Sequence, residues 1–233
     1  ATGIEVAGIL SEMKKFVLPN DYPDMSSSLM HIYLIEAGPR LLAGMSEESS
    51  AHAEQFLREM GVNILLNKRV VDYRDHKVVL EDGTEIATRT FIWVSGVTGV
   101  TIGNLDASLI GRGGRIKVDS FNRVEGMNNV FAIGDQCIQL ADENYPNGHP
   151  QLAQVAIQQG ELLAKNLIRM EKGQEMKPFH YRNLGSMATV GRNRAVAEFS
   201  KVKMQGWFAW VMWLVVHLRS ILGGRNKVIV LLN

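Results

Sequence analysis

One apolar run with an abrupt end constrains the fold of this chain more than any other feature. The run from Val130 to Ile133 is followed directly by Gly134 and Asp135, and we interpret it as a β-strand that ends at the glycine. Glycine lets the backbone come close to a ligand, and Asp135 adds a carboxylate acceptor. Pro150 then begins a stretch with no helix breaker before Gly160. This predicts a helix whose N-terminus points back toward the Gly-Asp corner, where its dipole favours electron-rich ligand atoms.

The predicted helix separates its side chains by face. One strip carries small residues, at Ala153, Ala156 and Gly160. The adjacent strip carries glutamines, at Gln151, Gln154 and Gln158. A flat ring can lie closely on small residues, and glutamines both donate and accept hydrogen bonds. The plain alternative is tight helix packing with a solvated glutamine face, but the preceding Gly-Asp corner favours a ligand site.

The start of the chain indicates a second nucleotide site. Residues 1–3 look like the end of a GxGxxG fingerprint whose first two glycines we expect upstream, in a longer protein. Gly3 begins an apolar-periodic helix, and its N-terminus would face a pyrophosphate. The later HIYLIEA stretch predicts a strand with Glu36 at its end. Glu36 would accept from ribose hydroxyls and disfavour a 2′-phosphate, which indicates NADH over NADPH; the alternative is an ordinary acidic strand end.

The intervening chain has the local signals of an α/β domain. A helix is predicted from Ser46 to Met60, ending at Gly61, and it is followed by strands in NILL, RVVDYR and KVVLEDGTEI, with a turn at Asp82 and Gly83. TFIWVSG is predicted to be a further strand, and its Gly96 would bring backbone close to a bound nicotinamide. A buried strand with no ligand role is the alternative.

Composition excludes several classes of protein. The 233 residues carry a net charge of only +1, and no long basic run precedes the C-terminal segment, so nucleic-acid binding is not indicated. Cys137 is the only cysteine, which rules out an internal disulfide and a cysteine-rich metal site, and we predict no metal. A lone thiol fits a reducing cytoplasm.

The C-terminal segment predicts contact with a membrane surface. Residues 207–216 are ten consecutive apolar residues, WFAWVMWLVV, against the roughly 20 that a bilayer span needs. Three of them are tryptophans, which prefer the headgroup boundary. Cationic groups follow at His217, Arg219, Arg225 and Lys227, before a second apolar stretch, VIVLL. We therefore expect a segment that lies in the interface from Trp207 to Leu232; a core helix or a homodimer contact is the alternative.

Together, NVFAIGD, HPQLAQVAIQQG, GSMATVGRNRAVA and the apolar C-terminus resemble the type II NADH dehydrogenases, single-chain flavoproteins that pass electrons from NADH to membrane quinone. The resemblance implies that Asp135 holds the ribityl chain of FAD and that Gln154 and Gln158 border the quinone. It also places Glu5 near the junction of nicotinamide and flavin, where the carboxylate could relay protons. The implied contacts with FAD and NAD come from Gly3, Glu36, Gly96, Gly134, Asp135, Gln151, Leu152 and Ala153.

The resemblance also sets the expected organisation: two Rossmann-like dinucleotide-binding domains and a membrane-associating helical segment. We assign 1–97 to an NADH-binding domain, 98–199 to the C-terminal half of an FAD-binding domain and 200–233 to the membrane segment. The expected location is peripheral, on the cytoplasmic face of the cell membrane. A sulfide:quinone oxidoreductase is disfavoured because it needs a cysteine pair. The remaining alternatives are an oxidoreductase with another acceptor and an inactive fragment.

Overall fold

The computed structural model describes residues 1–100, 102–200, 202–220 and 224. Its α-helices are α1 (Thr2–Glu12), α2 (Leu18–Asp21), α3 (Glu47–Glu59), α4 (Ala153–Glu171) and α5 (Gly206–Ser220). Its strands are β1 (Ile32–Ile35), β2 (Val62–Leu65), β3 (Val70–Arg74), β4 (Lys77–Leu80), β5 (Glu85–Ala87), β6 (Ile116–Val118), β7 (Cys137–Gln139), β8 (Ser186–Thr189), β9 (Ala195–Phe199) and β10 (Val202–Gln205). None of the described helices is long and apolar enough to cross a membrane.

The chain forms two compact units. The first contains Ala1–Val94 and the described part of the chain from Gly185, and the second contains Ser95–Leu184. Residues 185–199 therefore group with the first unit, whereas the sequence assigned them to the end of the 98–199 segment. The reason is packing: Ala188, Val190 and Val196 are fully buried in the same apolar core as α1, α3 and β2. The functional assignment of the segments stays a prediction.

The first unit is organised around a parallel pair of strands, β1 and β2, with α1 and α3 packed on it. The helix and strand predicted around Ser46 and Gly61 are confirmed. Ser46 caps α3 by accepting from the amide of Ser49, and Gly61 ends the helix with φ +82°. Glu198 accepts from the Ser49 hydroxyl at 2.6 Å and from the Ser46 amide at 3.0 Å. Burial alone would raise the pKa of the Glu198 carboxyl, but these hydrogen bonds outweigh burial and lower it.

Two antiparallel sheets complete the first unit. β3, β4 and β5 form a meander whose β4–β5 turn contains Gly83 at φ +83°, as the sequence predicted. β8, β9 and β10 form the second sheet, and α5 packs on it through Ala209, which is fully buried. Within its described residues, the first unit thus combines one parallel and two antiparallel sheets.

The strand predicted in TFIWVSG is wrong. The described residues offer it no neighbouring strand, so this stretch forms no ladder, and Trp93 is 60% exposed. Its aromatic side chains instead form a row with Tyr73. The ring centroids of Tyr73 and Phe91 lie 4.9 Å apart, and those of Phe91 and Trp93 lie 6.0 Å apart.

The second unit contains a parallel pair, β6 and β7, followed by α4. The strand predicted for 130–133 is wrong as well. Among the described residues it pairs with the 122–124 turn alone. The Val124 amide donates to the Val130 carbonyl and the Ala132 amide to the Asn122 carbonyl, which makes a single bridge at Phe131. A three-residue turn is too short a partner for a ladder. The strand occurs instead after the Gly-Asp corner, as β7.

The helix limits predicted in the second unit also need correction. α4 begins at Ala153 with Leu152 as N-cap, three residues after Pro150, and it passes through Gly160 to Glu171. A single glycine lowers helix propensity without ending the helix. Its position does not require glycine either, because a Cβ on Gly160 would lie 3.7 Å from the Ile133 side chain, an ordinary contact distance. The small residue therefore breaks neither the helix nor its packing.

Candidate functional site

The Gly-Asp corner lies directly against α4. Gly134 has φ +67°, a left-handed conformation that suits glycine, and a Cβ there would lie 3.2 Å from the Ala156 side chain. Its amide donates to Oε1 of Gln159 at 2.7 Å. Asp135 is exposed, and its carboxylate forms no hydrogen bond or ion pair within the part of the chain that the structure describes. The corner is thus held by its glycine, while its carboxylate stays available to a ligand.

A buried polar network supports this corner from below. Gln159 and Asn122 are 1% and 2% exposed. The thiol of Cys137 donates to the Gly134 carbonyl at 3.4 Å, and the Asn122 amide donates to the same sulfur at 3.8 Å. Burial raises the pKa of the Cys137 thiol, so it stays protonated and acts as a donor. The network fixes Gly134 without presenting a reactive group.

Sequence reasoning missed Gln159, although the sequence contains a signal for it. Val155, Gln159 and Asn166 are the buried residues of α4, and they recur at intervals of four and seven along the helix. A polar residue in register with an apolar face is expected to have a buried partner. Here the partner is the Gly134 amide. Gln159, which the spacing places on the buried face of α4, is therefore the residue that fixes the Gly-Asp corner.

The turn before α4 is brought to the corner as predicted. The side-chain amide of Gln151 donates to the Asp135 carbonyl at 3.0 Å. Leu152 caps α4 without a side-chain hydrogen bond, and both Leu152 and Ala153 are exposed. The first turn of a helix has N–H groups with no partner in the helix, so a ligand with electron-rich atoms suits this end. The Asp135 carboxylate and the N-terminus of α4 therefore lie together at one solvent-accessible corner.

The other two glutamines of the predicted strip contact the chain at 182–184. Gln158 accepts from the Arg182 amide at 3.1 Å and donates to the Arg182 carbonyl at 2.9 Å. Oε1 of Gln154 accepts from the Leu184 amide at 2.9 Å. In this structure both side chains fix the segment that leads out of the second unit. Whether they also border a quinone stays a prediction.

The predicted nucleotide residues of the first unit lie at the ends of α1 and β1. Gly3 lies in the first turn of α1, and a Cβ there would approach Val94 and Leu34 at 3.2 and 3.3 Å. Glu36 follows β1 directly, and one of its oxygens accepts from the Gly38 amide at 2.8 Å. That bond leaves the second oxygen for a ribose hydroxyl. A helix N-terminus and a strand-end carboxylate are the two parts that a dinucleotide site needs.

Glu5 and Gly96 were also predicted as site residues. Glu5 is half-buried in the first turn of α1, and its carboxylate has no hydrogen-bond or ion-pair partner among the described residues. Gly96 has φ +81°, and no atom lies within 4 Å of a Cβ built there. The backbone at Gly96 is therefore open to an approaching ligand, and only its conformation requires glycine.

The residues present fit the two groups that the sequence predicted. A flavin carries a polyhydroxylated ribityl chain and an electron-rich ring edge, and the second unit offers Asp135 and the uncapped terminus of α4. The exposed Ala153 leaves room for a flat ring. NAD(H) carries a pyrophosphate and ribose hydroxyls, and the first unit offers the terminus of α1 and the free oxygen of Glu36.

Comparisons with known proteins agree with this chemistry. The family model described as pyridine nucleotide-disulphide oxidoreductase matches residues 1–160, and the model described as NDH2 C-terminal domain matches residues 183–233. A type II NADH:quinone oxidoreductase of Mycobacterium tuberculosis is 35% identical over 240 residues, which cover 97% of this chain and 50% of that protein. A mitochondrial internal alternative NAD(P)H-ubiquinone oxidoreductase of Arabidopsis thaliana is 31% identical over 250 residues, covering 100% of this chain and 48% of the relative. The chain spans about half the length of the curated relatives it matches.

A solved structure shares the fold. NDH2 from Plasmodium falciparum in complex with NADH matches with a TM-score of 0.85 at 20% identity, over 97% of this chain and 61% of that one. The likeness shows an α/β dinucleotide-binding fold of the same kind, which confirms the predicted fold class at that level.

Proposed function

Because the chain belongs to the pyridine nucleotide-disulphide oxidoreductase family, in its type II NADH dehydrogenase group, we propose that it binds FAD and NAD(H) and passes electrons from NADH to a membrane quinone. The observation that carries the proposal is the free carboxylate of Asp135 beside the uncapped N-terminus of α4. A flavin bound there would supply the redox chemistry, since it accepts a hydride from NADH and delivers electrons to a quinone.

The flavin contacts that we propose follow from the corner. Asp135 accepts from ribityl hydroxyls, and the first-turn N–H groups of α4 face the ring edge next to Gln151, Leu152 and Ala153. Gly134 allows this close approach because it has no side chain. Gln159 and Cys137 keep the corner in place from the buried side.

The contacts that we propose for the pyrophosphate and the adenosine ribose of NADH belong to the first unit. The N-terminus of α1, at Gly3, faces the pyrophosphate, and Glu36 accepts from the adenosine ribose. A carboxylate at that place repels a 2′-phosphate, so NADH is the expected coenzyme. Gly96 contributes accessible backbone near the nicotinamide.

The quinone step needs protons as well as electrons, since NADH, one proton and a quinone give NAD⁺ and the quinol. We propose that Gln154 and Gln158 border the quinone and that Glu5 relays the proton. A half-buried carboxylate without a partner in the described chain suits this role because proton exchange breaks no existing bond.

An anaerobic NADH titration of the purified, FAD-loaded protein tests the function. NADH should bleach the flavin absorbance, and a short-chain quinone should restore it. Recovery only with a soluble acceptor would remove the quinone assignment, and a protein that retains no FAD would remove the function itself.

The same assay tests Glu5. Glu5→Gln should slow turnover roughly tenfold or more while the NADH affinity changes less than about twofold, because general acid-base catalysis acts on the rate. Glu47→Gln is the matched control, since Glu47 is likewise a first-turn carboxylate but lies on α3. Wild-type turnover in Glu5→Gln, or an equal loss in both variants, would exclude the relay.

The exposed face of α5 supports membrane association, which we propose as peripheral and, as the sequence predicts, on the cytoplasmic side. One face of the helix packs on β9, with Ala209 fully buried. The other face is apolar and exposed, and it consists of Trp207, Phe208, Met212, Val215 and Val216. Apolar side chains that are exposed over half a helix, with tryptophan among them, suit the headgroup boundary. The predicted cations Arg225 and Lys227 and the VIVLL stretch lie outside the described residues.

Phe208→Ser combined with Val215→Ser should weaken binding to anionic phospholipid vesicles by about tenfold or more, because each loses roughly 1.5–3 kcal/mol of apolar burial. The two side chains are 70% and 56% exposed, so the fold should tolerate their replacement. Ile168→Ser, on α4 and 52% exposed, is the control and should bind as the wild type does. Cosedimentation gives the partition coefficients, and equal values for the three proteins would refute contact through α5.

A further inference from the structure

A buried ionisable pair lies in the loop between β7 and α4, outside the contacts discussed so far. Nε2 of His149 lies 3.0 Å from Oδ2 of Asp142, and each side chain is only 4% exposed. Aromatic rings enclose the imidazole on three sides. The centroid distances are 5.1 Å to Tyr145, 5.3 Å to Phe179 and 5.8 Å to Tyr181. The His149 ring is therefore fixed both by a hydrogen bond and by packing.

The backbone around His149 is fixed separately. Nη1 of Arg115, the residue before β6, donates to the His149 carbonyl at 3.0 Å. Gly148 has φ +84°, and a Cβ there would lie 2.6 Å from the Ile138 side chain of β7. The chain at 148–149 is thus held against both strands of the parallel pair.

This anchored residue comes directly before the flavin corner. Pro150 follows His149, and its ring limits the rotation of the chain. Gln151 follows next, with its side chain on the Asp135 carbonyl. We propose that Asp142 and His149 are positioning residues, which fix the 150–152 turn against Asp135 and so shape the flavin-binding corner. The inference rests on the proposed function only for the ligand, because the positioning itself is a property of the chain.

General stabilisation is a poorer account of the pair. Buried polar pairs often contribute no more to stability than apolar residues of the same volume, so the Asp142–His149 contact needs a local reason. The hydrogen bond from His149 lowers the pKa of Asp142, although burial opposes it, so the carboxylate is ionised at neutral pH. An ionised, directional acceptor holds the imidazole in one orientation, which an apolar pair would not do.

The test compares Asp142→Ala with a variant that disturbs the same aromatic cluster without touching the pair. Leu162 of α4 packs against the cluster formed by Val155, Phe179 and Tyr181, so Leu162→Ala is that control. Amide hydrogen exchange over 150–156 is measured on the FAD-loaded and the FAD-free protein, together with the FAD dissociation constant. The amides of Leu152 and Val155 report on the turn, since they bond to the carbonyls of Pro150 and Leu152.

We expect exchange in Asp142→Ala to be at least about tenfold faster over 150–156 and FAD to bind roughly tenfold more weakly. In Leu162→Ala, the exchange rates over 150–156 and the FAD dissociation constant should stay within about twofold of wild type, even if the unfolding temperature is lower. Asp142→Asn, which keeps a polar group at the same place, should recover part of the protection. Equal exchange rates in Asp142→Ala and Leu162→Ala would overturn the inference, whatever the FAD dissociation constants are. Faster exchange in a protein that never binds FAD would support the positioning and remove the proposed function instead.

Discussion

Gly8→Ala is expected to destabilise the first unit by about 2 kcal/mol or more, in spite of the better helix propensity of alanine. Gly8 lies inside α1, where its backbone meets the turn between β8 and β9. A Cβ there would lie 2.5 Å from the Gly191 amide nitrogen and 3.2 Å from the Val190 carbonyl carbon. Because these are backbone atoms, the overlap cannot be relieved by a change of side-chain rotamer. The turn cannot easily retreat either, because Gly191 has φ +70° and lies so close to Met60 and Glu12 that a Cβ on it would be 2.6 and 2.9 Å from their side chains.

Gly160→Ala provides the matched control for this prediction. Gly160 is also interior to a helix, but its new methyl group would meet Ile133 at an ordinary 3.7 Å. Alanine should therefore stabilise the protein there by up to about 1 kcal/mol. Urea or thermal unfolding measures both variants. The close packing of α1 on the 190–191 turn would be contradicted if Gly8→Ala were as stable as the wild type.

The elements that were predicted correctly from the sequence are those that end at local signals. Ser46 accepts from the backbone at the start of α3, and Gly61 and Gly83 adopt positive φ at the places where the chain turns. Such interactions lie within a few residues of one another. The local sequence is therefore enough to predict these caps and turns.

The errors concern elements whose partners are distant in the chain. Residues 130–133 and 90–96 are apolar and rich in β-formers, but strands need a neighbouring strand, and the described residues supply at most a bridge to them. Gly160 likewise resembles a helix end in the sequence, but α4 continues through it to Glu171. Apolar character indicates burial, whereas pairing depends on the rest of the fold.

The candidate site divides in the same way. Asp135 and the 151–153 turn could be predicted, because a glycine-aspartate corner and a proline-led helix are local patterns. Gln159 was missed: its spacing on α4 indicates burial, but its partner, the Gly134 amide, depends on how α4 packs on the corner, which local sequence does not contain. Gln159, which fixes the corner, is therefore harder to predict from the sequence than Asp135 and the exposed residues of the 151–153 turn.

Gln159→Leu should consequently weaken FAD binding by about tenfold to a hundredfold. Leucine has a similar volume, but it removes the acceptor 2.7 Å from the Gly134 amide. A buried donor that loses its partner costs roughly 1–3 kcal/mol, and the backbone can avoid that cost by turning the amide toward solvent. Such a rotation moves Asp135, the next residue. The effect should therefore appear in the FAD dissociation constant more strongly than in the unfolding midpoint.

Gln158→Leu separates this effect from the general loss of a glutamine on α4. Gln158 bonds to the backbone of Arg182 and leaves the Gly134 amide untouched. Its replacement should change the FAD dissociation constant by less than about threefold, while any effect on quinone turnover remains open to the same assay. If Gln159→Leu binds FAD as tightly as Gln158→Leu does, then Asp135 does not depend on the buried network, and the corner must be held from the 150–152 turn alone.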